Sequence, residues 1–232
     1  MRPAPFQIPL LVKRSSVMHR KSQEVAIQAI IYGAIGFRAS LEVTEHSRCA
    51  TLCSQLLPWL EQQNYGDQIE EVHRQMLETP YRELTQKSQT EAVWHGEAAS
   101  LLAWAIQVSD KPDPISRADP GFMANRLSIL RPSASELVNN AVLRPAEELE
   151  DFCVFCLTVR HCFQRPSLDE AGQATLDRIY HTRLEELGLK ESLVRRPELE
   201  NQAAELAAAV PSVRGLYVVR ALTSEWLLGQ DP

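Results

Sequence analysis

His95-Gly96-Glu97, followed much later by Cys153 and Cys156, is the arrangement in this chain nearest to a reactive centre. Zinc deaminases use H-x-E and then P-C-x-x-C, three ligands for the ion and a glutamate that shuttles protons. On that pattern His95, Cys153 and Cys156 would be ligands and Glu97 the proton carrier. The context argues against it. Phe152 stands where the proline belongs, Cys153 falls inside a helical pattern, and no clear strand lies between the two halves. A short motif does not carry the assignment alone. Cys49, Cys53, Cys153 and Cys156 could also form a structural metal site, if two cysteine-bearing helices face each other. The simpler expectation is that these small, soft side chains fill a tight helix contact, with no metal or cofactor. The third constellation is charge in an apolar setting. Trp94, Glu97, Leu101, Trp104 and Val108 recur at spacings of three and four, so they share one helix face. A carboxylate there must find a partner, stay protonated or face a cavity. Arg160 and Arg220, on two later helical segments, are its candidate partners, and Glu97, Arg160 and Arg220 are the candidate polar cluster. Read blandly, the pair fixes helix register; read functionally, it is a ligand site. His19, His46, His73 and His181 show no metal-like spacing and are expected to be exposed or capping.

The elements that must position these groups are helical throughout. Residues 22–40 open with Ser22 and Glu24 and then show a wide stripe rich in small residues, which predicts a buried helix with close neighbours. A second helix begins at Thr44-Glu45, with Pro58 expected to kink or divide it. Residues 67–78 form a short amphipathic helix, Ile69, Val72, Met76 and Leu77 inward and Glu70 paired with Arg74 outside. The helix of residues 91–108 follows. Residues 109–132 hold three proline turns and form the longest irregular stretch. Ser133 or Ser135 caps a short helix. Pro145 begins a longer one with acids at its start and an apolar remainder, which predicts a central position. Residues 168–187, 197–210 and 212–228 complete the set, with Gly188 as a cap. Strand is predicted only for residues 6–12 and, less so, 216–219.

Composition bounds the rest. At 232 residues, 44% hydrophobic and 23% charged, the chain can bury a substantial core. A net charge of −6 argues against binding nucleic acid through phosphate contacts. No unbroken apolar run reaches 18 residues, which predicts no membrane span. Residues 1–18 are read as an extended arm rather than a secretory signal. Five cysteines, an odd number in apolar surroundings, suit reduced thiols in a cytoplasmic protein. No phosphate loop, G-x-S-x-G elbow or H-E-x-x-H is present.

Three segments carry a resemblance. RKSQEVAIQA at residues 20–29, the tryptophan, glutamate and W-A block at 94–105, and the paired patterns at 148–160 and 218–229 (VVRALTSEWLLG) resemble the domain-of-unknown-function 4272 family. Gln28 replaces an expected basic residue, and the central helix carries Cys and Phe where the family tends to Tyr and Trp. The resemblance implies an α-helical fold and a cytoplasmic bacterial protein, and supplies no activity, substrate or cofactor.

The expectation is thus an all-α domain over residues 19–232, an irregular bundle of about eight helices with little or no strand. Its core should include Ile30, Leu56, Trp94, Leu101, Trp104, Phe155, Val159, Leu222, Trp226 and Leu227. The leading functional reading is a non-enzymatic protein-interaction or accessory module, with a partner that is for example basic. The competing readings are a small-molecule binder or enzyme around Glu97 and a buried arginine, and a zinc protein.

Overall fold

A computed structural model describes residues 20–229, and the arm and the strand expected at residues 6–12 lie outside them, as does His19. The described residues are all-α, without strand. They form eleven helices: α1 (Ser22–Glu42), α2 (Cys49–Gln62), α3 (Glu71–Glu78), α4 (Gln86–Ala105), α5 (Pro120–Arg126), α6 (Ala134–Asn139), α7 (Ala146–Gln164), α8 (Glu170–Glu186), α9 (Lys190–Arg195), α10 (Glu198–Ala209) and α11 (Arg214–Leu227). The count exceeds eight because short turns of helix form inside stretches read as loops. Residues 216–219 belong to α11 rather than to a strand.

The central pair is α1 against α4. Gly33 and Gly36 on α1 meet Ala92, Gly96 and Ala99 on α4, and all are buried. With no side chain between them the backbones touch: a Cβ added at Gly36 would lie 2.6 Å from the Gly96 Cα. Around this pair, α2, α5 and α6 pack on α1, while α11 packs on both α4 and α7, and α10 covers α7. By length and composition α1 could cross a membrane, a possibility the count of unbroken apolar residues did not raise. Most of it is instead buried against these helices, as in the core helix of a globular domain.

Several local expectations are corrected. The second helix starts at Cys49, and Pro58 lies inside it without dividing it. Burial of Trp59 and Leu60 directly after the proline holds the last turn. Val72 is exposed and His73 takes the inward place. Arg74 does not pair with Glu70. Helix α3 begins only at Glu71, so Arg74 turns back to Glu61 (2.7 Å) and the Gly66 carbonyl (3.1 Å). Val108 lies beyond the end of α4. Gln107 adopts a left-handed φ of 63°, Val108 N–H donates to the Ala103 carbonyl (2.8 Å), and the chain doubles back. Within 109–132, Asp119 caps α5 by accepting from Phe122 N–H (2.9 Å). Of the expected core, Ile30, Leu56, Leu101, Trp104, Val159 and Leu227 are buried, while Trp94, Phe155 and Trp226 are half-buried. Leu222 is 36% exposed, because it sits on the rim between two surface hollows.

The glycine contact is asymmetric, and that is testable. A Cβ at Gly96 would lie an ordinary 3.6 Å from Gly36. Gly36→Ala should lower unfolding free energy by about 1–3 kcal/mol through overpacking. Gly96→Ala should be neutral or stabilising by up to about 1 kcal/mol through helix propensity. Urea unfolding of the two variants checks the contrast.

Candidate functional site

Glu97 projects from the middle of α4 into a space closed by α11 and by the segment of residues 109–119. It is 2% exposed. One carboxylate oxygen accepts from Ala118 N–H at 2.6 Å, and the other lies 3.7 Å from the Arg220 guanidinium. Arg220, 1% exposed, donates to the Ser116 carbonyl (3.3 Å) and stacks over Tyr217. The Arg117 guanidinium lies over Trp94, 4.6 Å from the ring centre. Residues 109–119 are therefore a cover pinned to the acid, the arginine and the tryptophan. The pair is imperfectly satisfied, since Glu97 Oε2 and Arg220 Nε have no hydrogen-bond partner among the described residues. Burial pushes the Glu97 carboxyl above its ordinary pKa, and the Ala118 N–H and Arg220 only partly oppose this. Arg220 edges a polar cavity of about 180 Å³ under the cover, whereas Glu97 is not on its wall.

Of the two arginines proposed for Glu97, then, the fold supplies Arg220. Arg160 is half-buried on α7 and lines a different hollow. The cysteines do not converge either. Cys153 and Cys156 are buried in the main core, and burial raises the Cys156 thiol to about 12. Cys49 and Cys53 belong to a smaller cluster with Leu41. Among the described residues no group of three or more His, Cys, Asp or Glu side chains is placed to hold a metal ion.

Two further polar features were not read from the sequence. Arg38, fully buried on α1, pairs with Glu42 and donates to the carbonyls of Thr79 (2.8 Å) and Pro80 (3.0 Å). His73, on α3, meets His95, on α4, with their Nε2 atoms 2.8 Å apart. Tyr32 of α1 presents an edge-to-face contact to both rings. His46 and His181 are exposed as expected, whereas His73 is buried. A signal existed for two of these residues. Ile69, His73 and Met76, like Ala34, Arg38 and Leu41, follow the spacing of four and three that marks an inward face. For His95 there was none, because its partners come from other helices.

The family described as "domain of unknown function (DUF4272)" matches residues 3–169, well over half of the chain, and the chain belongs to it. The matched stretch includes Glu97, His73, His95 and Arg160 and stops just before α8. Arg220 and the 218–229 pattern lie beyond it. No curated protein and no solved structure matches.

Two outcomes are expected. Glu97→Ala leaves a buried guanidinium without its counter-charge and should cost about 3–5 kcal/mol of stability. In a double-mutant cycle with Arg220→Met, measured by denaturant unfolding, the two losses should add up to more than that of the double variant. The histidine pair sets an acid limit. Burial and the neighbouring His95 lower His73 from 6.5 to about 4, and His95 is lowered too. The unfolded chain thus binds protons first. Stability held above 6.5 is lost as pH falls toward 4, and His73→Phe should flatten that part of the pH–stability curve.

Proposed function

We propose that this member of the DUF4272 family is a non-enzymatic binding module that receives an acidic amphipathic helix of a partner protein in the groove between α7, α8 and α11. The groove has a volume of about 470 Å³. Leu157, Leu176, Ile179 and Leu222 give it an apolar floor, with Ile179 and Leu222 exposed. Its two acids, Glu225 and Glu186, are already engaged with Arg183, and His161 on its wall pairs with Asp177 outside it. The observation that carries the reading is that Arg160 and Arg178, on opposite walls, make no ion pair or hydrogen bond among the described residues. An apolar strip between two free guanidinium groups suits a helix with one apolar and one acidic face.

The shape favours a helix over a small ligand. Leu176 and Ile179 also belong to a second hollow that reaches Leu168, so the apolar strip continues along α8. That helix of 17 residues is about 25 Å long. The chain's net charge of −6 would draw a basic partner from a distance. Charges about 8–10 Å away are screened, so in the groove the two arginines dominate. The competing small-molecule reading centred on Glu97 has less support, because that acid is covered. Five free cysteines, four of them buried, support a reducing, cytoplasmic setting.

A synthetic peptide tests this: a helix with leucines at positions i, i+3, i+4 and i+7 and glutamates on its other face, titrated with the protein by fluorescence anisotropy. Binding should weaken as salt is raised, and Arg160→Glu with Arg178→Glu should weaken it about tenfold or more. Equal binding of a peptide with lysines in place of the glutamates would reject the reading.

A further inference from the structure

We propose that His73 and His95 form the protein side of an open site for a divalent transition-metal ion. The geometry of the two rings points to it. Two imidazole nitrogens each about 2.0 Å from one ion, at a right angle, are about 2.8 Å apart, with ring centres about 4.5 Å apart. The Nε2 atoms are 2.8 Å apart and the ring centres 4.5 Å, with the ring planes at 81°. A straight N–H···N bond along both ring axes would set the centres farther apart, at about 5 Å. The two ring axes therefore do not both lie along the line joining the nitrogens, a condition that aim at a common point beside that line requires.

The outer hydrogen bond of His95 supports the same reading. His95 Nδ1 lies 2.8 Å from the Glu91 carbonyl, which only accepts, so Nδ1 carries the proton and Nε2 presents its lone pair. His73 Nδ1 lies 3.8 Å from a Glu70 carboxylate oxygen, an ion-pair distance too long for a hydrogen bond, so of the two rings His95 alone has its far nitrogen anchored. Metal-binding histidines are held in this way, the far nitrogen donating to a carbonyl or carboxylate. With both Nδ1 atoms protonated, two lone pairs would face each other at 2.8 Å, and a cation between them relieves the repulsion.

Two ligands make an open site, not a cage. The remaining positions fall to water, with the exposed Glu70 carboxylate close to His73. His95, though not His73, also forms part of the wall of an aromatic cavity of about 260 Å³ with Tyr32, Trp94 and Trp226. The right-angle spacing favours Cu(II) or Ni(II), whose sites are tetragonal, over tetrahedral zinc, which wants nitrogens about 3.3 Å apart.

Calorimetric titration of the full chain with Ni(II) tests the site. A single equivalent should bind and raise the melting temperature, and His73→Phe and His95→Phe should each weaken binding about tenfold or more. Absence of binding at about 100 µM free Ni(II), an affinity below about 5 kcal/mol, overturns the proposal. So does binding unchanged in both variants. Should the variants not fold, the wild-type protein suffices. Substoichiometric Cu(II) should broaden the imidazole NMR signals of His73 and His95 before those of His46 and His181, and the reverse order overturns the proposal.

Discussion

The contact of Gly36 with Gly96 is the constraint on which the rest of the structure depends. Two helices whose backbones meet must carry almost nothing on the facing stripes, and α1 and α4 do so over several turns. The close approach lets dispersion contacts form between main chains. It also decides what lies on the flanks. Tyr32 is brought edge-on to His95, and Glu97, one residue beyond the glycine, is turned away from α1 toward α11. A larger residue at Gly36 would push both flanks apart, so core packing and both polar sites rest on one small-residue seam.

The buried charges follow a common plan. Glu97 and Arg220 hold backbone groups of residues 116–118, and Arg38 holds the carbonyls of Thr79 and Pro80. Each ties an irregular segment to a helix that is already fixed. Such segments have N–H and C=O groups that secondary structure does not satisfy, and a charged side chain can satisfy them more strongly than a neutral one. The cost is desolvation of the charge, visible in the raised pKa of Glu97. Net stabilisation by such pairs is small, but loss of one member is expensive, so they act as locks on loop position.

Much of this was legible in the residues. The apolar spacing of residues 94–104 marked a core face with an acid in it, and the small stripe of residues 22–40 marked a close neighbour. Pro145 and Gly188 punctuate helices as their backbone chemistry requires. Other features resisted reading. Pro58 sits inside a helix because tertiary burial outweighs a lost hydrogen bond. His73, expected to be exposed or capping, turns inward, as its spacing with Ile69 and Met76 allows.

By itself, the sequence determined the all-α class, the small faces of α1, the apolar α7 and the acid on the core side of α4, because these depend on helical periodicity within one segment. Only the tertiary structure decided that Arg220 and not Arg160 meets Glu97, that His73 meets His95, and that a groove holding Arg160 and Arg178 opens beside α8. Each of those facts joins residues from separate helices. Helical spacing says which way a side chain points, but the crossing of the helices settles what stands opposite it.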